Sequence, residues 1–209
     1  MKKQRLIIIC IIVVLLSLMT ACKSGPITLE PQEIESYQGI DLTPTASLPE
    51  NSIKGIQEIE LSDYILEIRG EVENTLSLTY EEVLAYTIYE KQITLNCIQG
   101  WKAEILWEGV LLRDIFADAG ITENAATVIF HAPDGYTAAL PLDRFTEKDI
   151  LLAHKANGIT LPPSLGFPFI VVAEEEIGYK WARWVTEIEI SSDPDFKDFW
   201  EQRDLSFEL

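Results

Sequence analysis

The 209-residue chain carries 34 Asp and Glu against 16 Lys and Arg, a formal net charge of −18. This balance argues against a nucleic-acid-binding protein, because phosphate binding depends on clustered Lys and Arg. It also argues against adhesion to anionic lipid head groups, and most of the acidity is expected to form a solvated surface.

Residues 1–21 have the pattern of a bacterial secretory signal. Lys2, Lys3 and Arg5 precede an apolar stretch, 6–19, that is shorter than the about 20 residues of a comfortable membrane span. Small residues then precede Cys22, an arrangement that resembles a lipoprotein cleavage site and implies lipid on this cysteine. Cleavage would leave 13 Lys and Arg against 34 Asp and Glu, a net charge of −21. We therefore expect an extracytoplasmic protein anchored to the cell membrane through Cys22; a plain membrane anchor with an incidental cysteine is the alternative.

The rest of the chain divides into a tether, one domain and a tail. Residues 22–57 are rich in Pro, Ser, Thr, Gln and Glu, which predicts a flexible tether. Residues 58–191 are enough for one hydrophobic core. Residues 192–209 are acidic and aromatic, and two interpretations stay open for them: a short helix packed on the domain, or a frayed end.

The first half of the domain contains strand and helix signals in alternation. Residues 64–70 alternate apolar and polar and end at glycine, which predicts a strand. A capping box at 79–82 predicts the start of a short helix. Residues 92–97 predict a second strand, and 111–119 predict a helix that ends at Gly120.

The second half of the domain is dominated by strand signals. Asn157-Gly158, between two apolar runs, is the strongest hairpin signal in the chain. Further strands are predicted at 127–131, 137–141, 169–173 and 184–190. Together these signals predict an α+β domain of mixed, mainly antiparallel sheets with short helices.

Cys97 is the only cysteine outside the signal and its cleavage point. A strand ends there and Gly100 turns the chain, so we expect the sulfur at a strand end, where functional sites are commonly built. From the residues alone, its interpretations are a small buried hydrophobe or a redox thiol without a resolving cysteine. The two histidines, His131 and His154, are far apart in sequence and do not complete a zinc site with it.

Four segments of the domain occur in the order seen in a known family. They are TLNCIQGW (94–101), WEGVLLRD (107–114), DGYTAALPL (134–142) and GYKWARWV (178–185). In this order they resemble the oxidoreductase molybdopterin-binding domain family, the fold of sulfite oxidase and of the methionine-sulfoxide reductase catalytic subunit. The resemblance implies a sulfite-oxidase-like molybdopterin-binding fold.

The resemblance also implies a molybdenum–molybdopterin cofactor. In that family the cysteine at the position of Cys97 supplies a thiolate to molybdenum, a ligand that suits a soft metal–sulfur centre. The residues at Trp181, Ala182 and Arg183 would bind the pterin phosphate, with Lys180 beside it. The remaining cofactor-binding positions implied by the resemblance are Asn96, Trp101, Asp134, Gly135 and Tyr136.

The implied activity is two-electron redox or oxygen-atom transfer on a small substrate, with a membrane electron-transfer partner as a further expectation. Three departures from the family keep an alternative open. Leu165 and Ile170 stand where the family usually has polar pterin ligands, and each lost charged hydrogen bond costs roughly 1.5–3 kcal/mol. Glu174-Glu175-Glu176 would oppose a phosphate, and the signal lacks an arginine pair. The alternative is a cofactor-free lipoprotein binding module that keeps the fold without the chemistry.

Overall fold

The computed structural model describes residues 31–203. The predicted signal and Cys22 lie outside the described residues, as do residues 204–209. Between residues 31 and 203, no helix has both the length and the apolar character needed to cross a membrane.

The described chain consists mainly of short strands. They are β1 (Ser36–Tyr37), β2 (Ile40–Asp41), β3 (Leu66–Gly70), β4 (Leu76–Leu78), β5 (Ile88–Asn96), β6 (Lys102–Leu111), β7 (Thr127–His131), β8 (Thr137–Pro141), β9 (Leu151–Ala156), β10 (Ile159–Thr160), β11 (Ile170–Val172) and β12 (Glu187–Ser191). The α-helices are α1 (Tyr80–Val83), α2 (Leu112–Ala119) and α3 (Arg144–Glu147). Single 3₁₀ turns are Thr45–Ser47, Leu61–Asp63, Pro163–Leu165, Gly178–Lys180 and Glu201–Arg203.

Apart from the small β1–β2 pair, the strands of residues 31–203 form two five-stranded sheets. The first has the order β10-β9-β6-β5, with β11 also pairing with β9, and all its pairs are antiparallel. The second has the order β4-β3-β12-β7-β8, in which only β12 and β3 are parallel. The predicted α+β architecture of mixed, mainly antiparallel sheets with short helices is confirmed.

The long β5–β6 hairpin positions Cys97 at its turn. The amide of Cys97 donates to the carbonyl of Trp101 at 3.0 Å, and the amide of Gly100 donates back to the carbonyl of Cys97 at 2.9 Å. Gly100 has φ +87°, a left-handed conformation that glycine adopts without strain. The predicted strand end and turn are therefore where the sulfur is presented.

The local helix and hairpin signals form as predicted. At α1, Thr79 and Glu82 make both hydrogen bonds of the capping box. Helix α2 buries its apolar face and ends at Gly120, with φ +70°. Asn157-Gly158 forms the β9–β10 turn with φ +49° and +78°, as the type of turn favoured by this dipeptide requires.

The N-terminal segment differs from the flexible tether predicted over 22–57. The amide of Ile34 donates to the carbonyl of Asn157 at 2.8 Å, and the amide of Thr43 donates to the carbonyl of Glu104 at 2.8 Å. Leu42 is buried in the same stretch. The prediction is wrong for residues 33–48 because their partners come from β6 and the β9–β10 turn, far away in sequence. The boundary at residue 58 is therefore too late.

The C-terminal segment follows the first of its two interpretations as far as residue 203. The amide of Phe199 donates to the carbonyl of Thr137 in β8 at 3.2 Å, and Asp198 is fully buried. A 3₁₀ turn at Glu201–Arg203 follows. The packed part of the chain thus extends beyond the predicted domain end at residue 191.

Candidate functional site

A cavity of about 460 Å³ lies at the β5–β6 turn. Its wall brings together six of the residues implied by the family resemblance: Cys97, Trp101, Asp134, Tyr136, Trp181 and Arg183. They come from the hairpin turn, the loop between β7 and β8, and the segment before β12. Residues far apart in sequence thus meet at one cavity.

Among the described residues that line this cavity, Cys97 contributes the only thiol. The cysteine is partly exposed and forms no disulfide. Its backbone is fixed by the two hydrogen bonds of the turn, so the position of the sulfur depends on the hairpin. This geometry is compatible with a metal ligand and excludes the interpretation as a fully buried hydrophobe.

Arg183 supplies a nearly buried positive charge to the same wall. Its side chain is 12% exposed, Nη1 donates to the carbonyl of Ser164 at 3.0 Å, and the nearest carboxylate, on Glu50, is 4.0 Å away. Burial lowers the pKa of Arg183, while Glu50, Tyr136 and Cys97 oppose that shift. The guanidinium remains charged because arginine does not lose its proton in proteins, so it is suited to bind an anionic group.

The Asp134–Tyr136 turn places a phenol in the wall. Asp134 is buried and its carboxylate accepts from the amide of Tyr136 at 2.9 Å. Gly135 has φ +88°, which completes the turn. The Tyr136 hydroxyl donates to the carbonyl of Tyr179. Burial raises the pKa of Tyr136, as does the charge of Asp198, and the nearby Trp200 side chain opposes them. The phenol therefore keeps its proton at neutral pH.

Two buried polar atoms in the cavity wall lack a partner. Within residues 31–203, Trp101 Nε1 and Ser52 Oγ are the buried side-chain nitrogen and oxygen atoms without a hydrogen bond. Both residues line the cavity. An indole N–H can only donate, and leaving a buried polar group unpaired costs about 1–3 kcal/mol. The cavity is therefore suited to a ligand with hydrogen-bonding groups.

Trp181 forms an aromatic part of the wall. It is buried, and its indole donates to the carbonyl of Glu176 at 3.2 Å. Its ring packs edge-on against Trp107 with 5.8 Å between the centroids. Trp181 therefore supplies shape, since its donor is already used.

The other implied residues lie outside the cavity wall. Ala182 is fully buried, and its carbonyl accepts from Val171 at 2.9 Å. Asn96 is exposed at the end of β5, and Gly135 acts through its turn. Lys180, expected beside the pterin phosphate, instead pairs with Asp198 and Glu201 at 2.7 Å each. Burial lowers the pKa of Lys180, but these two carboxylates outweigh burial and raise it above its usual value.

Two of the departures from the family acquire a structural explanation. Leu165 and Ile170 are buried in the hydrophobic core, so these positions contribute packing in place of hydrogen bonds. The triple glutamate is paired by cations on other elements: Glu174 with Lys91, Glu175 with Lys148 and Glu176 with Arg144. These pairs reduce the repulsion that the glutamates would exert on an anionic ligand.

Residues from both flanking segments complete the cavity, and the sequence did not predict them. Asn51, Ser52 and Ile53 belong to the predicted tether, and Trp200 belongs to the predicted tail. The aromatic character of the tail was the one available signal for Trp200.

A second cluster of ionisable groups lies on the second sheet. His131, Glu187 and Glu189 place three potential metal-ligand atoms within 4.8 Å of one another. Arg69 hydrogen-bonds both glutamates, at 2.6 and 3.0 Å, and thus already supplies the positive charge. We interpret this cluster as an ion-paired surface strip, with His131 as one of its partners.

Comparisons with known proteins agree with the geometry. The sequence model of the family described as oxidoreductase molybdopterin-binding domain matches residues 53–200. The uncharacterized oxidoreductase YuiH of Bacillus subtilis (strain 168) is 35% identical over 144 residues, which cover 68% of this chain and 72% of the relative. Human mitochondrial sulfite oxidase is 28% identical over 159 residues, but the match covers only 29% of that protein.

A solved structure shows the same fold. The sulfane dehydrogenase SoxCD from Paracoccus pantotrophus superimposes with a TM-score of 0.67 at 21% identity, covering 88% of this chain and 57% of that one. The expected sulfite-oxidase-like architecture is therefore confirmed. Together with the match over residues 53–200, this places the chain in the oxidoreductase molybdopterin-binding domain family.

Proposed function

We propose that this protein is a molybdenum-cofactor oxidoreductase that carries out two-electron redox or oxygen-atom transfer on a small substrate. The observation that carries the proposal is a cavity in which the single thiol of residues 31–203 lies with a guanidinium and an unpaired indole N–H. This donor set fits the cofactor implied by the family. When bound, molybdopterin with its metal supplies the two-electron chemistry.

Each of these side chains has a definite task in the proposal. The Cys97 thiolate would hold the molybdenum, since a soft sulfur ligand suits that centre. Arg183 would bind an anionic group of the cofactor and Trp101 Nε1 a hydrogen-bond acceptor. Tyr136 holds a proton on its hydroxyl at neutral pH. It would therefore donate a hydrogen bond to a ligand that replaces the carbonyl of Tyr179 as the acceptor.

The cellular location is part of the same proposal. The apolar stretch of residues 6–19 and the small residues before Cys22 support an exported protein held to the membrane by lipid on that cysteine. A membrane electron-transfer partner would then exchange electrons with the site. Detection of a lipid-modified Cys22 peptide by mass spectrometry tests the anchor, and an unmodified mature N-terminus would contradict it.

Elemental analysis for molybdenum tests the cofactor. On protein purified from its own membrane we expect near-stoichiometric metal, and strong loss of it in Cys97→Ser, which keeps the size of the side chain. Ser62→Ala, an exposed change in the Leu61–Asp63 turn, is the matched control and should retain the metal. Folded wild-type protein without molybdenum would refute the proposal.

The hydrocarbon at Leu165 and Ile170 favours a second candidate, a cofactor-free binding module. This candidate requires that the melting temperature be the same in hosts with and without molybdenum-cofactor synthesis. A ligand that binds only the folded state adds stability, so a lower melting temperature in the deficient host would reject it.

A further inference from the structure

We propose that residues 198–203, the C-terminal clasp, complete the wall of the cavity and control the size of ligand that reaches Cys97. In this arrangement Trp200 is the specificity-determining residue, because it lines the cavity. Lys180 is a positioning residue that acts through Asp198. The inference depends on the geometry of the cavity and not on which cofactor it holds.

One buried carboxylate joins Lys180 to the backbone of Trp200. Asp198 Oδ2 accepts from Lys180 Nζ at 2.7 Å. Asp198 Oδ1 accepts from the amides of Trp200 and Glu201 at 3.1 and 3.2 Å. Because Asp198 is fully buried, its charge depends on Lys180 for compensation. Loss of the ammonium would therefore release the segment that carries Trp200.

Glu201 closes the clasp from its other end. Its Oε1 accepts from Lys180 at 2.7 Å, and its Oε2 accepts from the amide of Asp198 at 3.0 Å. Asp198 and Glu201 thus bind each other's backbone amides, an arrangement like that of a capping box. Lys180 bridges both carboxylates, so a single side chain compensates the charge at both ends of the turn.

The aromatic side chains of the clasp contact the site itself. The Phe199 ring packs on Tyr136 with 5.4 Å between centroids, and Trp200 packs edge-on against Phe199 at 5.2 Å. The guanidinium of Arg203 covers the Phe199 ring at 3.5 Å. Movement of the clasp would therefore open the cavity beside Tyr136.

Thiol labelling of the full chain tests whether the C-terminal clasp controls the size of ligand that reaches Cys97. The protein is produced in a host without molybdenum-cofactor synthesis, and labelling by methyl methanethiosulfonate and by fluorescein maleimide is measured on the Cys97 peptide. We expect Trp200→Ala and Lys180→Met each to raise the ratio of bulky to small labelling about tenfold, equivalent to ~1.4 kcal/mol. Trp200→Phe should change it little. Lys197→Met, which changes an exposed lysine immediately before the clasp, is the matched control.

Hydrogen exchange provides a second measurement that does not depend on labelling or on the cofactor. In Lys180→Met the amides of Trp200 and Glu201 should exchange faster, whereas in Lys197→Met they should match the wild type. Unchanged exchange in Lys180→Met, or equal gains for the small and the bulky reagent in Trp200→Ala, would overturn the inference. Absence of molybdenum from wild-type protein would refute the proposed function but leave these two results unaffected.

Discussion

The side chain of Asn157 joins the N-terminal segment to the β9–β10 turn. It is fully buried. Its Nδ2 donates to Glu33 Oε1 at 2.8 Å and to the carbonyl of Thr43 at 2.9 Å. Its Oδ1 accepts from the amide of Leu106 at 3.0 Å. The substitution Asn157→Ala removes all three hydrogen bonds and leaves the amide of Leu106 buried without a partner.

The expected loss of stability follows from these contacts. The two hydrogen bonds to neutral groups contribute about 1 kcal/mol each, and the one to the carboxylate of Glu33 about 1.5–3 kcal/mol. Asn157 has φ +49°, a conformation that costs alanine roughly 1–2 kcal/mol. Asn157→Ala should therefore lower the free energy of unfolding by about 4.5–7 kcal/mol, a large part of the total for a typical domain.

Urea denaturation followed by tryptophan fluorescence measures this loss, and hydrogen exchange locates it. Exchange should increase most in residues 33–48. Asn157→Gly loses the same contacts without the strain of a Cβ, so the difference between the two variants measures that strain. The matched control is Asn74→Ala, since exposed Asn74 makes one 3.5 Å hydrogen bond and should lose less than about 0.5 kcal/mol. A loss below about 1 kcal/mol in Asn157→Ala would refute the reasoning.

Three further predictions concern pH, packing and the site. Burial lowers the pKa of His154, with Glu108 opposing, so protonation favours the unfolded chain and the free energy of unfolding should fall as the pH drops below 6.5. The difference between wild type and His154→Gln in denaturation from pH 7 to 5 isolates this effect, and a difference that is constant with pH would contradict it. Gly109→Ala should lower the melting temperature more than Gly178→Ala. A Cβ at residue 109 would lie 2.3 Å from the backbone oxygen of Leu152, whereas a Cβ at residue 178 would lie 3.1 Å from its nearest neighbour, a side-chain atom. A larger loss in Gly178→Ala would be inconsistent with this packing. Arg183→Met should cost the cofactor-free protein less than about 1 kcal/mol, since the carboxylate of Glu50 lies as far as 4.0 Å from the guanidinium, yet molybdenum content should fall. Retained molybdenum would remove Arg183 from the binding site.

The parts of the fold that the sequence predicted are governed by neighbouring residues. The capping box of Thr79 and Glu82 and the turn at Asn157-Gly158 need only their own few residues to form. The family resemblance named Cys97, Tyr136 and Arg183 as site residues, and all three line one cavity. A family likeness carries tertiary information that periodicity lacks.

The parts that the sequence did not predict depend on distant partners. Glu33 lies 124 residues from Asn157, and nothing in the composition of the segment reveals that contact. Lys180 could equally bind a phosphate or a carboxylate, since both need a cation. In the structure Lys180 binds the carboxylate of Asp198, which is buried by the folding of the C-terminal segment. Asn51, Ser52 and Ile53 were likewise not predicted as part of the cavity wall, because they reach it only in the folded chain.

The position of β12 determines how the second sheet can assemble. This late strand lies between β3 and β7, and the contact of Arg69 with Glu189 joins residues 120 positions apart. Before residues 187–191 are synthesised, β3–β4 and β7–β8 are separate hairpins, each with an edge that lacks its neighbour. Contacts over such separations slow folding, and unpaired edges promote association between chains. Chains cut short before residue 187 are therefore expected to aggregate, because the sheet is completed at its centre and not at its rim.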